Sequence, residues 1–196
     1  MTGLRRILII SLGNPGQYRN TYHSAGHLVL EGLQKLLPRE QPVFTLQNIG
    51  RERTLASVGE RWSLLQSPTL MNISGPWVAR AYREHLIERG LSPNQLGLVL
   101  VHDDLEEALG DVKVRAWKAS HRGHNGVKSV FGALCLDSTA KSARVSIGIG
   151  RPETKDRALV SDYVLSEMPK FAKMTLSQRA SKDLYVALLE LEDKWK

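Results

Sequence analysis

Three stretches of this chain set polar, chemically capable side chains directly behind apolar or strand-like runs. Asn14 and His23 lie in GNPGQYRNTYHSAGH, which follows the run Ile7 to Ile10. His102, Asp103 and Asp104 end the run LGLVLVHDD, and His121, His124 and Asn125 lie in HRGHNGVKS. Asn72, in SPTLMNISG, comes just before a helical pattern. In open α/β sheets such residues gather in one crevice beyond the strand ends. A helix beginning near His124 would also turn its free backbone N–H groups toward an anion. Each residue has a plainer explanation too. Asn14 before Pro-Gly is good turn chemistry, Asn72 and Asp103 could cap a helix, and His23 could be an ordinary loop residue. His121 and His124 at i, i+3 only hint at a metal, and no metal is expected. GNPG is neither a dinucleotide fingerprint nor a phosphate loop, and no Gly-x-Ser-x-Gly elbow occurs.

The elements that must position these residues alternate. A strand at about 5–12 leads through the opening loop to a helix at about 25–37, ended by Pro38 and Pro42. RTLASVG and RWSLLQS read as a hairpin joined at Gly59-Glu60, and GPWVARAYREHLIERG as a helix with Pro76 in its first turn and Gly90 as its stop. LGLVLVHDD reads as a central strand, and DVKVRAW as a strand with one wet face carrying Lys113 and Arg115. A helix at about 124–135, the strands ARVSIGIG and SDYVLS, and a long amphipathic helix at about 168–194 complete the chain. The expected architecture is α/β: a single domain over residues 1–196, with a twisted mixed sheet and helices on both faces.

The chain has 196 residues, enough for one domain with a substantial core, and 42% of them are hydrophobic. No apolar stretch approaches the roughly 20 residues of a membrane helix, and the basic start MTGLRRILII reads as a first strand rather than a secretory signal. One cysteine, Cys135, excludes an intramolecular disulfide and multi-cysteine zinc; it is expected as a buried thiol on a helix face, in a reducing compartment. Lys and Arg outnumber Asp and Glu by 27 to 20, for a net charge of +7, which suits a polyanionic partner. Aromatic residues, at 6%, are too few for an extended base-stacking surface.

Taken together, LGNPGQYRNTYH, PTLMNISG, VHDDL, RGHNGVKS and VSIGIGRP resemble, in order and approximate spacing, the bacterial-type peptidyl-tRNA hydrolases. The resemblance runs from about Ile7 to the last helix. It implies an enzyme that cleaves the ester between a peptide and the 3′ ribose of tRNA, with neither metal nor organic cofactor. His23 matches the family's essential histidine and Asp103 its partner carboxylate. An imidazole with a pKa near ~6.5 can take a proton from water, and a carboxylate on its other nitrogen fixes the tautomer. Asn125 matches an asparagine able to donate to the developing oxyanion. Asn14, Tyr18, Met71, Asn72 and His124 match positions around the substrate, where an asparagine supplies both donor and acceptor to peptide backbone. Lys113, Arg115, Lys128 and Arg144 are the candidates for tRNA phosphates.

The chain departs from the family pattern in its own way. Thr21-Tyr22-His23-Ser24 stands where TRHN is usual, the loop between Gly16 and Tyr18 is one residue shorter, AWKASHR replaces a glycine-rich segment, and His121 and Arg122 occupy normally small positions. These differences point toward a eukaryotic or organellar branch. A noncatalytic RNA-binding or splicing-factor relative on the same fold is the competing reading, and a general carboxylesterase the third. A monomer is expected, in the cytoplasm or alternatively in the mitochondrion.

Overall fold

The computed structural model describes residues 3–153 and 156–196. Seven strands form one mixed sheet: β1 (Arg6–Ser11), β2 (Thr45–Ile49), β3 (Glu52–Val58), β4 (Trp62–Gln66), β5 (Leu96–Asp104), β6 (Val112–Ala116) and β7 (Ser142–Gly148). Their spatial order is β2-β3-β4-β1-β5-β7-β6. The four inner strands β4, β1, β5 and β7 run parallel, while β2, β3 and β6 are antiparallel to their neighbours. The helices are α1 (Ala25–Leu36), α2 (Ser74–Glu88), α3 (Asn125–Ala133), α4 (Arg157–Leu165), α5 (Lys170–Met174) and α6 (Ser181–Trp195). Thr175–Ala180 joins α5 to α6 in π geometry, so the expected closing helix is present but wound wide at its middle.

Strand β1 shows why helices cover both faces. Ile7 and Ile9 enter a core with Val29, Leu30 and Leu33 of α1 and Leu184 and Leu188 of α6. Leu8 and Ile10 enter the opposite core with Trp77 and Val78 of α2 and Val127 and Val130 of α3. Successive side chains of a strand point to opposite faces, so a four-residue apolar run serves two cores. Each such residue, fully buried, contributes roughly 1.5–3 kcal/mol. All nine residues of β5 are buried, as its unbroken apolar run predicts.

Two expectations need correction, and one strand was missed. SDYVLS is not a strand: all but its last residue, the C-terminal cap Ser166, lies within α4, which Asp156 caps by accepting from the N–H groups of Ala158 and Leu159 at 2.8 and 3.1 Å. β2 went unanticipated because its residues are mostly exposed, leaving little apolar pattern to read. It pairs with β3 through Gly50 and Arg51, at φ 61° and 67°, the left-handed pair that a two-residue hairpin turn of the primed type requires. Cys135 is exposed, in the segment after α3 ends at Ala133, not buried on a helix face.

Candidate active site

β1 and β5 are adjacent and parallel, and from β1 the chain continues to one side of the sheet while β5 begins the other. Ligand crevices form at such a reversal, beyond the carboxyl ends of the strands. Here a cleft of about 870 Å³ opens, with Asn14, His23, Asp103 and Asn125 in its wall. The three sequence stretches meet there.

The opening loop is shaped by close packing and by a serine. A Cβ on Gly13 would lie 2.5 Å from the buried His27 ring, so the chain passes that ring only as glycine. Ser24 Oγ accepts from the Asn14 N–H at 2.9 Å and lies 2.9 Å from the Tyr18 carbonyl, drawing the loop onto the turn that carries His23. Asn14 is buried, and its Oδ1 accepts from the Met71 N–H at 2.8 Å, leaving its amide N–H groups for a ligand. Met71 is buried against α3: a Cβ on Gly126 would lie 2.4 Å from its sulfur. Asn72 and Asn125 are exposed, without side-chain hydrogen bonds among the described residues. Tyr18 is half-buried at the rim.

Asp103 sits at the end of β5, 3% exposed, and receives two imidazoles. His23 Nδ1 lies 2.9 and 3.0 Å from its two oxygens, and His124 Nε2 lies 2.9 Å from Oδ1. His124 caps α3, its Nδ1 accepting from the Val127 N–H at 3.2 Å, so its proton is on Nε2 and is donated to Asp103. With Nδ1–H of His23 also directed at the carboxylate, Nε2 of His23 is the unprotonated nitrogen in the cleft. Burial pulls the pKa of His23 down, but the charge of Asp103 and the hydrogen bond to it outweigh burial, and the pKa stands above 6.5. Burial alone would raise Asp103, yet the two histidines hold it well below the usual carboxylate range. Ligand-type atoms of His23, Asp103 and His124 lie within 4.8 Å of one another, near enough to share an ion, but the two imidazole N–H groups are already spent on the carboxylate.

Two expected roles are corrected. His124 has both ring nitrogens occupied, so it supports Asp103 instead of offering a polar group to substrate. Arg144 is 1% exposed, and its guanidinium is spent on the carbonyls of Trp117, Ala119 and Ser120 and on His102 Nε2, so it is not a phosphate ligand. Lys113 and Arg115 both pair with the buried Glu107; Arg115 also approaches Asp104 at 3.5 Å. Lys128 is exposed on α3, with no ion-pair partner among the described residues. Arg122, whose backbone takes φ 47°, reaches Asp104 and Glu107 at 3.5 and 3.4 Å beside the cleft. Sequence reasoning placed His102 in the crevice without its supporting role, and it missed both the ties made by Ser24 and the Tyr22–Tyr163 stack, with rings 4.8 Å apart, that fastens α4 to the His23 turn. Of that stack only Tyr22 carried a signal, as the bulky residue beside the histidine.

The model of the family described as Peptidyl-tRNA hydrolase matches residues 8–193. The chain is 35% identical over 175 residues to a peptidyl-tRNA hydrolase of Sulfurihydrogenibium sp., covering 87% of this chain and 82% of the relative. It is 34% identical to that of Aquifex aeolicus, covering 94% and 90%, and 34% identical to a probable peptidyl-tRNA hydrolase of Schizosaccharomyces pombe, covering 82% and 70%. Among solved structures, a single-residue variant of peptidyl-tRNA hydrolase from Acinetobacter baumannii superposes with a TM-score of 0.68 at 26% identity, over 98% of this chain and 88% of that one.

Proposed function

This chain belongs to the peptidyl-tRNA hydrolase family, and from that premise we propose that it hydrolyses the ester between a peptide and the 3′ ribose of tRNA, with His23 as the general base. The observation that carries the mechanism is the 2.9 Å contact from His23 Nδ1 to Asp103, which leaves Nε2 as the proton acceptor in the cleft wall. Nε2 takes a proton from water as its oxygen attacks the ester carbonyl, and Asp103 stabilises the imidazolium that forms. The amide of Asn125, at the first turn of α3, donates to the oxyanion. Collapse of the tetrahedral species breaks the carbonyl–ribose oxygen bond, and the imidazolium returns its proton to the 3′ oxygen. No nucleophilic serine or cysteine is needed, because water is the nucleophile.

Asn14 and Asn72 hold the peptide backbone near the junction, with Met71 and Tyr18 as apolar contacts. Lys113, Arg115 and Lys128 take tRNA phosphates, and the net charge of +7 steers the polyanion in. The chain acts as a monomer where translation occurs, in the cytoplasm or alternatively the mitochondrion. Among the described residues no helix is long and apolar enough to cross a membrane. The noncatalytic RNA-binding reading is not favoured, since the matched relatives above are hydrolases by name and the His23–Asp103 pair is intact. The deciding experiment is hydrolysis of an N-blocked aminoacyl-tRNA by the wild type and His23→Ala at two salt concentrations. Cleavage abolished in the variant, sparing of unblocked aminoacyl-tRNA and slower turnover at high salt are expected. A folded wild type that binds tRNA without cleaving it would overturn the proposal.

A further inference from the structure

Arg144 is the one Lys or Arg buried among the described residues, and it has no carboxylate in its hydrogen-bond shell. Burying a cation is unfavourable unless its donors are filled. Here four of the five are filled, by a turn and a ring. Nε donates to the Trp117 carbonyl at 3.2 Å, and Nη2 to those of Ala119 and Ser120 at 2.6 and 3.2 Å. Nη1 lies 3.2 Å from His102 Nε2, while the Phe131 ring lies 5.4 Å from the guanidinium carbon. His102 Nδ1 in turn lies 2.8 Å from the Asp103 carbonyl oxygen.

Only one protonation pattern satisfies both contacts of His102. Nδ1–H donates to the Asp103 carbonyl, and Nε2 accepts from Arg144. Burial, then the neighbouring His124, holds the ring neutral, with a pKa pushed down to about 3. The charged and titratable groups around this pair are His124, Asp103, Arg115, Asp104 and Arg122, the Asp103 charge opposing the effect of burial on His102. His102 also packs edge-on against His124, with centroids 4.9 Å apart. A continuous set of contacts therefore joins the 117–120 turn, through Arg144 and His102, to the residue that anchors the base.

We propose that Arg144 and His102 are positioning residues for the hydrolysis, fastening the turn that leads into His124 and Asn125 to the strand end that carries Asp103. The proposal rests on His23 acting as the general base. Its physical content is register. His124 and Asp103 belong to segments 21 residues apart, and their 2.9 Å hydrogen bond lasts only while the turn stays seated on β5. Loosening the turn removes the His124 hydrogen bond from Asp103, which leaves a more basic carboxylate for His23 alone. The imidazolium of His23 is then held more tightly and the free base appears at higher pH.

The test is steady-state hydrolysis of N-acetylated aminoacyl-tRNA by the full chain across pH. The variants are Arg144→Lys, His102→Asn, His102→Gln and the double variant Arg144→Lys/His102→Asn. Lysine keeps the charge but cannot span three carbonyls and a ring nitrogen. Asparagine keeps the donation to Asp103 and loses Arg144; glutamine does the reverse. In each single variant kcat and kcat/KM are expected to fall together by roughly 10- to 100-fold, the scale of a ~1 Å misplacement. The acid limb of kcat/KM moves to higher pH, and the double variant loses no more than the worse single one. Folding is checked by circular dichroism and melting, and the His102 variants carry the test if Arg144→Lys does not fold. Folded variants with wild-type kcat, an unmoved limb, or losses that multiply in the double variant would overturn the inference. Absence of hydrolysis by the wild type overturns the proposed function as well, whereas an active wild type with unaffected variants overturns this inference alone.

Discussion

At the scale of single residues, the site is a contest between burial and charge. His23 and Asp103 are each disfavoured as ions by burial, yet their proximity reverses both tendencies, and the pKa of His23 ends above 6.5. As the proposed base, His23 must be neutral to act, so kcat/KM should rise with pH through that raised value. Asp103→Asn removes the charge and leaves the desolvation. The pKa of His23 should then drop below 6.5, moving the acid limb to lower pH, while kcat falls by roughly 10²–10⁴ as the tautomer and the imidazolium lose their support. A pH–rate profile of the two proteins checks both, and a limb that stays in place would show that Asp103 does not govern His23. His23 and Asp103 were legible in the sequence because their types and surrounding motif name a chemistry. Ser24 was not legible, because a serine's hydrogen bonds to Asn14 and Tyr18 depend on a loop path that no local pattern encodes.

At the scale of elements, what could be read was whatever a period expresses. β1, β5 and the first two helices follow from apolar runs and spacing, and the hairpin of β3 and β4 from its turn. α4 was misread because SDYVLS alternates over so few residues that helix and strand share the pattern. Its state is settled by Asp156 at its start and by Tyr163, whose ring stacks on Tyr22 and whose hydroxyl donates to the Ile149 carbonyl at 2.6 Å. Neither partner is near in sequence. The opening loop depends similarly on a distant ring. Gly13→Ala would drive a methyl group into the buried His27 imidazole, which is itself tied to Ser11 Oγ at 2.8 Å. A loss of about 1–3 kcal/mol is expected, the usual range for overpacking, seen as a lower denaturant midpoint with an unchanged slope. Activity should fall as well, since the displaced loop carries Asn14. Wild-type stability in this variant would mean that the ring can turn aside.

At the scale of the whole molecule, three buried histidines, His27, His85 and His102, each with its pKa lowered chiefly by burial, and an uneven charge balance set how the protein responds to its solution. His27 and His102 are neutral in the fold, both pushed down to about 3, chiefly by burial. A histidine depressed in the folded state lets the unfolded chain bind more protons between that value and 6.5, so stability falls as pH falls through this window. At pH 5 each should cost on the order of 2 kcal/mol, giving a lower melting temperature than at pH 7; His102→Gln should flatten part of that slope. The charge balance acts on the substrate instead. Although the chain carries +7, Lys113, Arg115 and Arg122 spend part of their charge on Asp104 and Glu107, which would compete with the proposed phosphate contacts. Glu107→Gln should free those cations for tRNA. KM should fall at low salt, and the plot of log kcat/KM against log salt should steepen by about 0.7–0.9 for each cation released. Lys128→Ala, removing an exposed charge with no partner to give up among the described residues, should make the same plot shallower by about one such step. If Glu107→Gln leaves the slope unchanged while Lys128→Ala reduces it, tRNA runs over α3 alone and the cluster on Glu107 serves the fold. Opposite shifts in the two variants would place the acceptor stem across both β6 and α3.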